Sequence, residues 1–243
     1  KKVDTFQQVF SVRSFLFSDT GKTIPGWNYQ ATRRVGEHQF DFSAGRGISM
    51  DDSVGEGWRT TTDADGDLLL FENARTEGDG VVHTVRGGYK GPQFGGTLSI
   101  NGVVGTDEFK NESYFTTPTT SEAFVGRSAN DRGEIGVNYT TDLTPELEWE
   151  TLGLAKLAVG SFDATGVTAS GSQLFQIEAE AGERIGRSVL RYAYAPELSF
   201  EGGGEIAYNY REQQVALTQN GTRIPLPASD VLVEETRGEA FVQ

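Results

Sequence analysis

The protein has 243 residues, of which 35 are acidic and 21 basic, giving a formal net charge of −14. An acidic chain of this kind repels a polyphosphate backbone, which excludes nucleic acid as a general electrostatic partner. The sequence has no cysteine, which excludes disulfides, zinc–thiolate sites and a thiol nucleophile, and its 11% aromatic content is too high for a disordered acidic protein.

Apolar and polar residues alternate with period two through most of the chain, and no window keeps a helical apolar face for three turns. No apolar run approaches the length of a transmembrane helix, but a transmembrane β-barrel stays open because its strands alternate apolar and polar. The alternation predicts ten strands, at residues 5–16, 26–34, 38–48, 79–90, 95–107, 132–142, 147–160, 177–194, 198–212 and 230–243.

The clearest alternating segment runs from Leu198 to Arg211. A globular strand usually has about 5–6 residues, and this segment is more than twice as long. A tilted strand that crosses a bilayer and projects beyond it has the required length. The segment therefore favours a membrane-spanning barrel.

Connections of two different lengths join the predicted strands. Four short turns that contain Gly or Pro lie at residues 35–37, 91–93, 144–146 and 195–197. Four stretches between them are predicted to be long polar loops, at 49–78, 108–130, 161–175 and 213–229, and the first holds a hairpin of Trp58–Thr62 against Leu68–Glu72. Short connections at one end and long ones at the other are typical of periplasmic turns and extracellular loops, and a β-sandwich does not require them.

Aromatic residues cluster within about six residues of the short turns, as expected for rings at a membrane–water interface. The predicted interface aromatics are Phe40, Phe42, Tyr89, Tyr139, Trp149, Tyr192, Tyr194 and Phe200. Charged side chains avoid the lipid face, so polar residues that alternate with these aromatics should point into a lumen. The predicted lumen-facing residues are Asp41, Glu134, Glu201, Glu205, Asn209 and Arg211.

Three segments carry a family resemblance. Residues 187–192, residues 198–205 with Tyr208 and Asn209, and the return at 226–241 are similar to the barrel of TonB-dependent outer-membrane receptors. The resemblance is clearest over about residues 130–243 and more architectural before that. It implies a 22-stranded barrel in a Gram-negative outer membrane, plugged by an N-terminal domain, which takes up a scarce ligand with energy delivered by TonB.

The sequence departs from that family pattern in three ways. It shows no plug domain, no segment like a TonB box near its start and no terminal aromatic residue. Ten strands are also under half of such a barrel. We therefore expect residues 1–243 to be one barrel segment with no second domain, and both ends to lie inside a larger barrel. The expected partners are outer-membrane lipid and lipopolysaccharide, a plug domain, TonB and an unidentified small ligand.

Acidic residues in the predicted loops are the candidates for extracellular contacts. The main ones are Asp51, Asp52, Asp63, Asp65 and Asp67. Residues 63–67 resemble the start of a calcium loop, but Leu68 and Ala74 stand where an EF-hand needs Gly and Glu. We interpret them as an acidic hairpin tip and expect no dedicated metal site and no cofactor, with a weak Ca²⁺ or Mg²⁺ contact left open.

The two histidines, His38 and His83, give the remaining candidates for chemistry. His38 follows a short turn and is expected to be a solvated interface residue. An Asp–His dyad of His83 with Asp51 or Asp52 is conceivable, but a general base needs hydrogen-bond reach and an orienting third group, and the sequence shows neither. We therefore expect a protein that is not an enzyme.

Three hypotheses for function follow. The first is a TonB-dependent receptor barrel that binds and admits an extracellular ligand. The second is a passive pore or structural barrel of ten to twelve strands, which requires its first and last strands to pair. The third is a secreted soluble β-sandwich or β-solenoid that binds carbohydrate, which requires Leu190, Tyr192, Phe200 and Ile206 to be buried inside protein.

Overall fold

A computed structural model describes residues 4–18, 21–50 and 54–243. The strands are β1 Thr5–Leu16, β2 Thr23–Val35, β3 His38–Met50, β4 Gly55–Thr62, β5 Leu68–Gln93, β6 Gly96–Thr116, β7 Ser121–Thr144, β8 Leu147–Thr168, β9 Gly171–Ala195, β10 Leu198–Gln219, β11 Thr222–Ile224 and β12 Asp230–Val242. No helix occurs in these ranges, so none of the described residues forms a helix that could span a membrane.

All twelve strands form one antiparallel sheet. Neighbouring strands follow chain order from β1 to β11, except that β4 pairs with β5 next to β3, and β12 pairs with β10 beyond the short β11. Within the described residues, β1 pairs with β2 alone and β12 with β10 alone, so the sheet does not close on itself. The predicted all-β antiparallel fold is confirmed, as an open sheet.

Each of the ten predicted strands is present, and three of the four short turns lie where the sequence places them. The second turn, predicted at residues 91–93, lies instead at Phe94–Gly95, because residues 91–93 belong to β5 and the pairing with β6 continues to Gln93. The turn at Phe94–Gly95 has positive φ at both residues, 52° and 84°, which is the backbone of a two-residue hairpin with the right-handed twist of a sheet. The hairpin predicted inside residues 49–78 is confirmed, since β4 pairs with β5 through Arg59 and Glu72. Its strands are longer than predicted.

The prediction of long loops at 108–130, 161–175 and 213–229 is wrong. Strands β6 to β10 have 21 to 25 residues each and continue through these stretches to short connections at 117–120, 169–170 and 220–221. Asn220 and Gly221 both have positive φ, which makes their connection a tight hairpin. Polar composition was the misleading signal, because an antiparallel partner satisfies the backbone whatever the side chains are.

The sheet has almost no interior. Among the described residues, the buried apolar side chains are Ile24, Val189 and Ala207. The accessible surface is 16220 Å², whereas a compact protein of 26.4 kDa exposes about 10,600 Å². Large apolar side chains are among the exposed ones, for example Phe10, Ile206 and Leu232, each at least 60% exposed.

Candidate functional site

The two faces of the sheet can be followed across every strand, because directly paired residues of antiparallel strands point to the same side. One row of partners runs from Asp41 to Ala207, through Gly88, Asn101, Gly136, Leu154 and Ile185. We call the side shared by this row the polar face and the opposite side the aromatic face.

The six residues predicted to face a lumen all lie on the polar face. Asp41 starts the row described above, and Glu134 precedes Gly136 by two residues on β7. The other four are at odd-numbered positions of β10, as is Ala207: Glu201, Glu205, Asn209 and Arg211. The register therefore brings residues from β3, β7 and β10 to one side of the sheet, and that this side faces a lumen stays a proposal.

Arg191 organises the polar face near the short turns. Its guanidinium forms ion pairs of 2.7 Å with Glu148, 2.7 Å with Glu150 and 2.8 Å with Glu201. Asn138 also donates to Glu150, at 2.9 Å. Arg191, Glu148 and Glu150 were not predicted as site residues. The turn at 196–197 could have indicated Arg191, because a tight hairpin there makes Arg191 the cross-strand partner of Glu201.

Further polar contacts continue this arrangement across the face. The ammonium of Lys156 lies 3.2 Å from Glu183 and 3.8 Å from Glu134, and Arg237 lies 3.6 Å from Glu205. The carboxylate of Asp41 accepts hydrogen bonds of 2.7 Å from Thr32 and from Gln39. Most of these charges are thus neutralised within the sheet.

The predicted interface aromatics all lie on the aromatic face. Their rings touch across neighbouring strands, with centroids 5.2 Å apart for Phe40 and Tyr89 and 6.0 Å apart for Tyr139 and Trp149. Tyr192 is the cross-strand partner of Phe200 and contacts Tyr194 at 6.4 Å. The eight side chains form a ring row beside the short turns, and its place at a membrane interface stays a proposal.

The aromatic face is exposed to its surroundings. The exposed fractions are 45% for Leu190, 42% for Tyr192, 48% for Phe200 and 61% for Ile206. A sandwich or solenoid requires these four side chains to be buried, so this observation goes against the third hypothesis.

The sheet divides into two zones along its strands. We define the distal zone as residues 55–79, 108–131, 161–180 and 212–234, which lie farthest from the turns at 36–37, 94–95, 145–146 and 196–197. The proximal zone consists of the other described strand residues. In the proximal zone the aromatic face carries no Asp or Glu among the described residues. Its basic side chains are Arg33, Arg46 and Arg184, and both histidines, His38 and His83, also lie on it.

The aromatic face becomes acidic in the distal zone. Twelve carboxylates and four basic side chains lie on it among the described residues. The carboxylates are Glu56, Glu77, Asp79, Glu108, Glu112, Asp131, Asp163, Glu178, Glu180, Glu212, Asp230 and Glu234. The polar face of the proximal zone has nearly balanced charge, eleven acidic and ten basic residues. Within the described strands, the acidic excess therefore lies mainly on this distal surface.

The polar face changes in the opposite sense. In the described distal zone its charged side chains are Arg59, Glu72 and Glu122, and Arg59 lies 2.7 Å from Glu72 and 3.0 Å from Glu122. Apolar side chains occupy much of the rest: Phe109, Phe115, Phe124, Phe162, Phe175, Ile177, Val215, Leu217, Val231 and Val233. The two faces therefore exchange character between the zones.

Arg59, on the edge strand β4, contacts side chains of three other strands on the distal polar face. Its guanidinium carbon lies 3.7 Å from the centre of the Phe115 ring, and Phe115 packs edge-on against Phe124 at 6.1 Å. Burial tends to lower the pKa of Arg59, but the hydrogen bonds to Glu72 and Glu122 outweigh burial and raise it above its ordinary value. Glu72 is buried, so Arg59 neutralises a charge that water does not reach.

The acidic hairpin tip between β4 and β5 is a structural turn. The carboxylate of Asp63 accepts hydrogen bonds from the backbone amides of Asp65, at 3.0 Å, and Asp67, at 2.9 Å. No group of three metal-ligating side chains occurs in the part of the chain that the structure describes. Asp51 and Asp52 lie outside the described residues, which leaves their proposed contacts and the dyad with His83 without a structural description.

The two histidines have different surroundings. His38 lies beside the first short turn, as predicted, and its Nδ1 is 2.9 Å from the hydroxyl of Tyr89. It is therefore half-buried and hydrogen-bonded, and not simply a solvated side chain. His83 lies on the aromatic face, with Arg46 and Thr106 as cross-strand partners.

Comparisons with known proteins support the fold. The sequence matches no known protein family and no curated protein. Among solved structures, the chain is similar to the crystal structure of the ferric yersiniabactin uptake receptor FyuA from Yersinia pestis, with a TM-score of 0.54 and 9% sequence identity. The match covers 98% of this chain and 38% of the receptor, so the chain spans less than half the length of the protein it resembles. At this identity the likeness shows the fold alone.

Proposed function

We propose that this chain is part of the barrel of an outer-membrane receptor that binds an extracellular ligand and admits it to the periplasm. The observation that carries the proposal is the exposed, carboxylate-free aromatic face of the proximal zone, bounded by aromatic rings on one side and by carboxylates on the other. Lipid on that face would cover the apolar side chains, and the polar face would then line a lumen.

The height of the apolar band fits a membrane. From Phe200 to Tyr210 on β10, and from Trp149 to Val159 on β8, the band extends ten residues along the strand. At a rise of about 3.3 Å per residue and a barrel tilt of about 40°, ten residues span about 25 Å, the height of the apolar band of outer-membrane barrels. The distal zone would then project into the extracellular medium, where water favours its acidic outer face.

The open sheet favours a larger barrel over a complete small pore. Within the described residues, β1 and β12 do not pair with each other, and a pore of ten to twelve strands requires that they do. The match to 38% of an uptake receptor points the same way. The proposal therefore includes further strands, a plug domain inside the lumen and TonB as the source of energy, and it assigns the aromatic face to membrane lipid and lipopolysaccharide.

The solubility of the purified protein tests its membrane location. We expect the protein to require detergent or lipid, because the aromatic face has no other cover. Recovery of a water-soluble monomer without detergent contradicts the proposal.

Electrical recordings of the full-length protein in planar bilayers separate a receptor from a passive pore. A plugged receptor should give no steady conductance step in the absence of ligand, whereas an open pore of the second hypothesis gives stable steps that scale with salt concentration. Stable open steps in the ligand-free protein contradict the receptor and support the pore.

A further inference from the structure

A pocket of about 470 Å³ lies on the polar face of the proximal zone, over strands β1, β2, β3 and β5. Three arginines line it, Arg13 on β1, Arg46 on β3 and Arg86 on β5. Arg46 belongs to the aromatic face and its guanidinium donates to the carbonyl oxygen of Pro25, whereas Arg13 and Arg86 lie on the polar face. The hydroxyl and amide side chains beside them include Asn28, Gln30, Ser43 and Thr84. No carboxylate is among its lining residues. In a chain with a net charge of −14, a cationic pocket of this kind is a local exception.

Glycines form the floor of this pocket. Gly45 and Gly47 of β3 line it, and Gly45 is the cross-strand partner of Asn28. Gly26 on β2 is the cross-strand partner of Arg13. A Cβ at Gly26 would lie 3.0 Å from the carbonyl oxygen of Arg46 and 3.3 Å from the side chain of Arg13. The side chain of Arg13 therefore passes close over Gly26, where a larger residue would press against both Arg13 and the backbone of Arg46.

The guanidiniums of Arg13 and Arg86 lie on different sides of the pocket. A terminal nitrogen of Arg13 lies 3.9 Å from the Cβ position of Gly47, so its charge lies over β3. Arg86 is the cross-strand partner of Ser43, which precedes Gly47 by four residues on β3. The cationic groups thus flank a stretch of β3 that carries small and hydroxyl-bearing residues.

Neither arginine is neutralised by the sheet. Within the described part of the chain, Arg13 and Arg86 form no ion pair, whereas Arg191, Lys156 and Arg237 of the same face each pair with a carboxylate. The nearby polar-face carboxylates have other partners. Asp41 accepts from Thr32 and Gln39, and Asp107 on β6 accepts from Asn130 at 2.8 Å and lies 3.8 Å from Arg132.

We infer that this pocket is an anion-binding subsite for a small molecule that carries a carboxylate or phosphate group. Guanidiniums donate several hydrogen bonds in a plane that matches such oxyanions, and Ser43 and Thr84 supply hydroxyl donors beside them. The inference rests on the proposed function, because it requires the polar face to be a lumen reached by solutes. It assigns to the admitted ligand at least one negatively charged oxygen group.

Titration calorimetry on the detergent-solubilised full-length protein tests the subsite, with citrate and inorganic phosphate as probes. The double variant Arg13→Ala with Arg86→Ala should bind them about tenfold or more weakly, because it removes the charged hydrogen-bond donors on both sides of the pocket. The matched control is Arg33→Ala with Arg184→Ala, which removes the same charge from the aromatic face and should bind as the unaltered protein does.

Three results would overturn the inference. They are the absence of binding by the unaltered protein, an equal loss in both double variants, and a loss of thermal stability in the pocket variant without any small-anion binding. The last result would indicate that Arg13 and Arg86 form ion pairs with a carboxylate of another polypeptide segment instead of with a small anion. Calorimetry measures anion binding to the pocket, and solubility without detergent measures whether the protein needs a membrane. Failure of the subsite inference can therefore be distinguished from failure of the membrane proposal.

Discussion

The proximal and distal zones share strands β5 to β10 and β12, and their two faces have opposite chemistry. Strand β9 shows the contrast: in its proximal part Leu190 and Tyr192 lie on the aromatic face and Arg187 and Arg191 on the polar face. In its distal part Glu178 and Glu180 lie on the aromatic side and Phe175 and Ile177 on the other. The backbone pairing continues unchanged across the transition.

This difference is the one that a change of surroundings partway along the strands would produce. Hydrogen bonding between strands is the same in both zones, so it cannot select the side chains. A carboxylate is favourable where its surroundings are water and costly where they are hydrocarbon. If the proposed membrane location is correct, the transition near Glu180 and Glu212 marks the extracellular boundary of the bilayer.

The largest expected effect comes from placing a cation in the apolar band. Ile135→Arg on the aromatic face of β7 should destabilise the protein by about 2–4 kcal/mol in lipid vesicles, because the guanidinium would lie at midmembrane depth. Val125→Arg lies on the same face and strand in the distal zone and should change stability by about 0–1 kcal/mol. Urea unfolding in vesicles measures both, and equal losses would remove the distinction between the zones.

The distal polar face gives the next largest effect. Arg59→Ala leaves the buried carboxylate of Glu72 without its cation and should cost about 1–3 kcal/mol. Arg223→Ala removes an equal charge from the aromatic side of the distal zone and serves as the control. Thermal unfolding of the two variants checks the contrast, and equal midpoints would show that Arg59 does not stabilise this face.

The polar face of the proximal zone should tolerate the loss of a charge better. Arg191→Ala exposes Glu148, Glu150 and Glu201 to mutual repulsion, but all four side chains are partly exposed, so we expect a loss of about 1 kcal/mol. The loss should shrink at high salt because solvent ions screen the carboxylates. An effect larger than that of Arg59→Ala in the same assay would reverse the ranking.

The smallest expected effect is a pH dependence of the distal aromatic face. The ammonium of Lys110, 2.8 Å away, and the hydroxyl of Tyr114 hold the pKa of Glu112 below its ordinary value of 4.5. Ionised Glu112 therefore stabilises the folded state above its unfolded pKa, and this contribution is lost as pH falls through the lowered value. Between pH 6 and pH 3, the free energy of unfolding should decrease less in Glu112→Gln and in Lys110→Met than in the unaltered protein. An unchanged slope in both would exclude this contribution.

The sequence predicts the proximal zone well and the distal zone poorly, for a physical reason. The alternation from Leu198 to Arg211 gave both the strand and the correct face of every residue in it. In the distal zone the alternation persists with reversed polarity, so Phe162 and Ile177 interrupt stretches that otherwise look like polar loops. Partners across the sheet, such as Arg191 with Glu148 or Arg13 with its glycine floor, depend on register over several strands and cannot be obtained from local pattern.

Fluorescence quenching by brominated phospholipids tests the two-zone account most directly, because all three tryptophans lie on the aromatic face. Trp149 and Trp27 are in the proximal zone, and Trp58 is in the distal zone, where it is 71% exposed. In vesicles, single-tryptophan variants that keep Trp149 or Trp27 should be strongly quenched and the variant that keeps Trp58 should not. Equal quenching of all three, or of none, would contradict a membrane boundary between the zones.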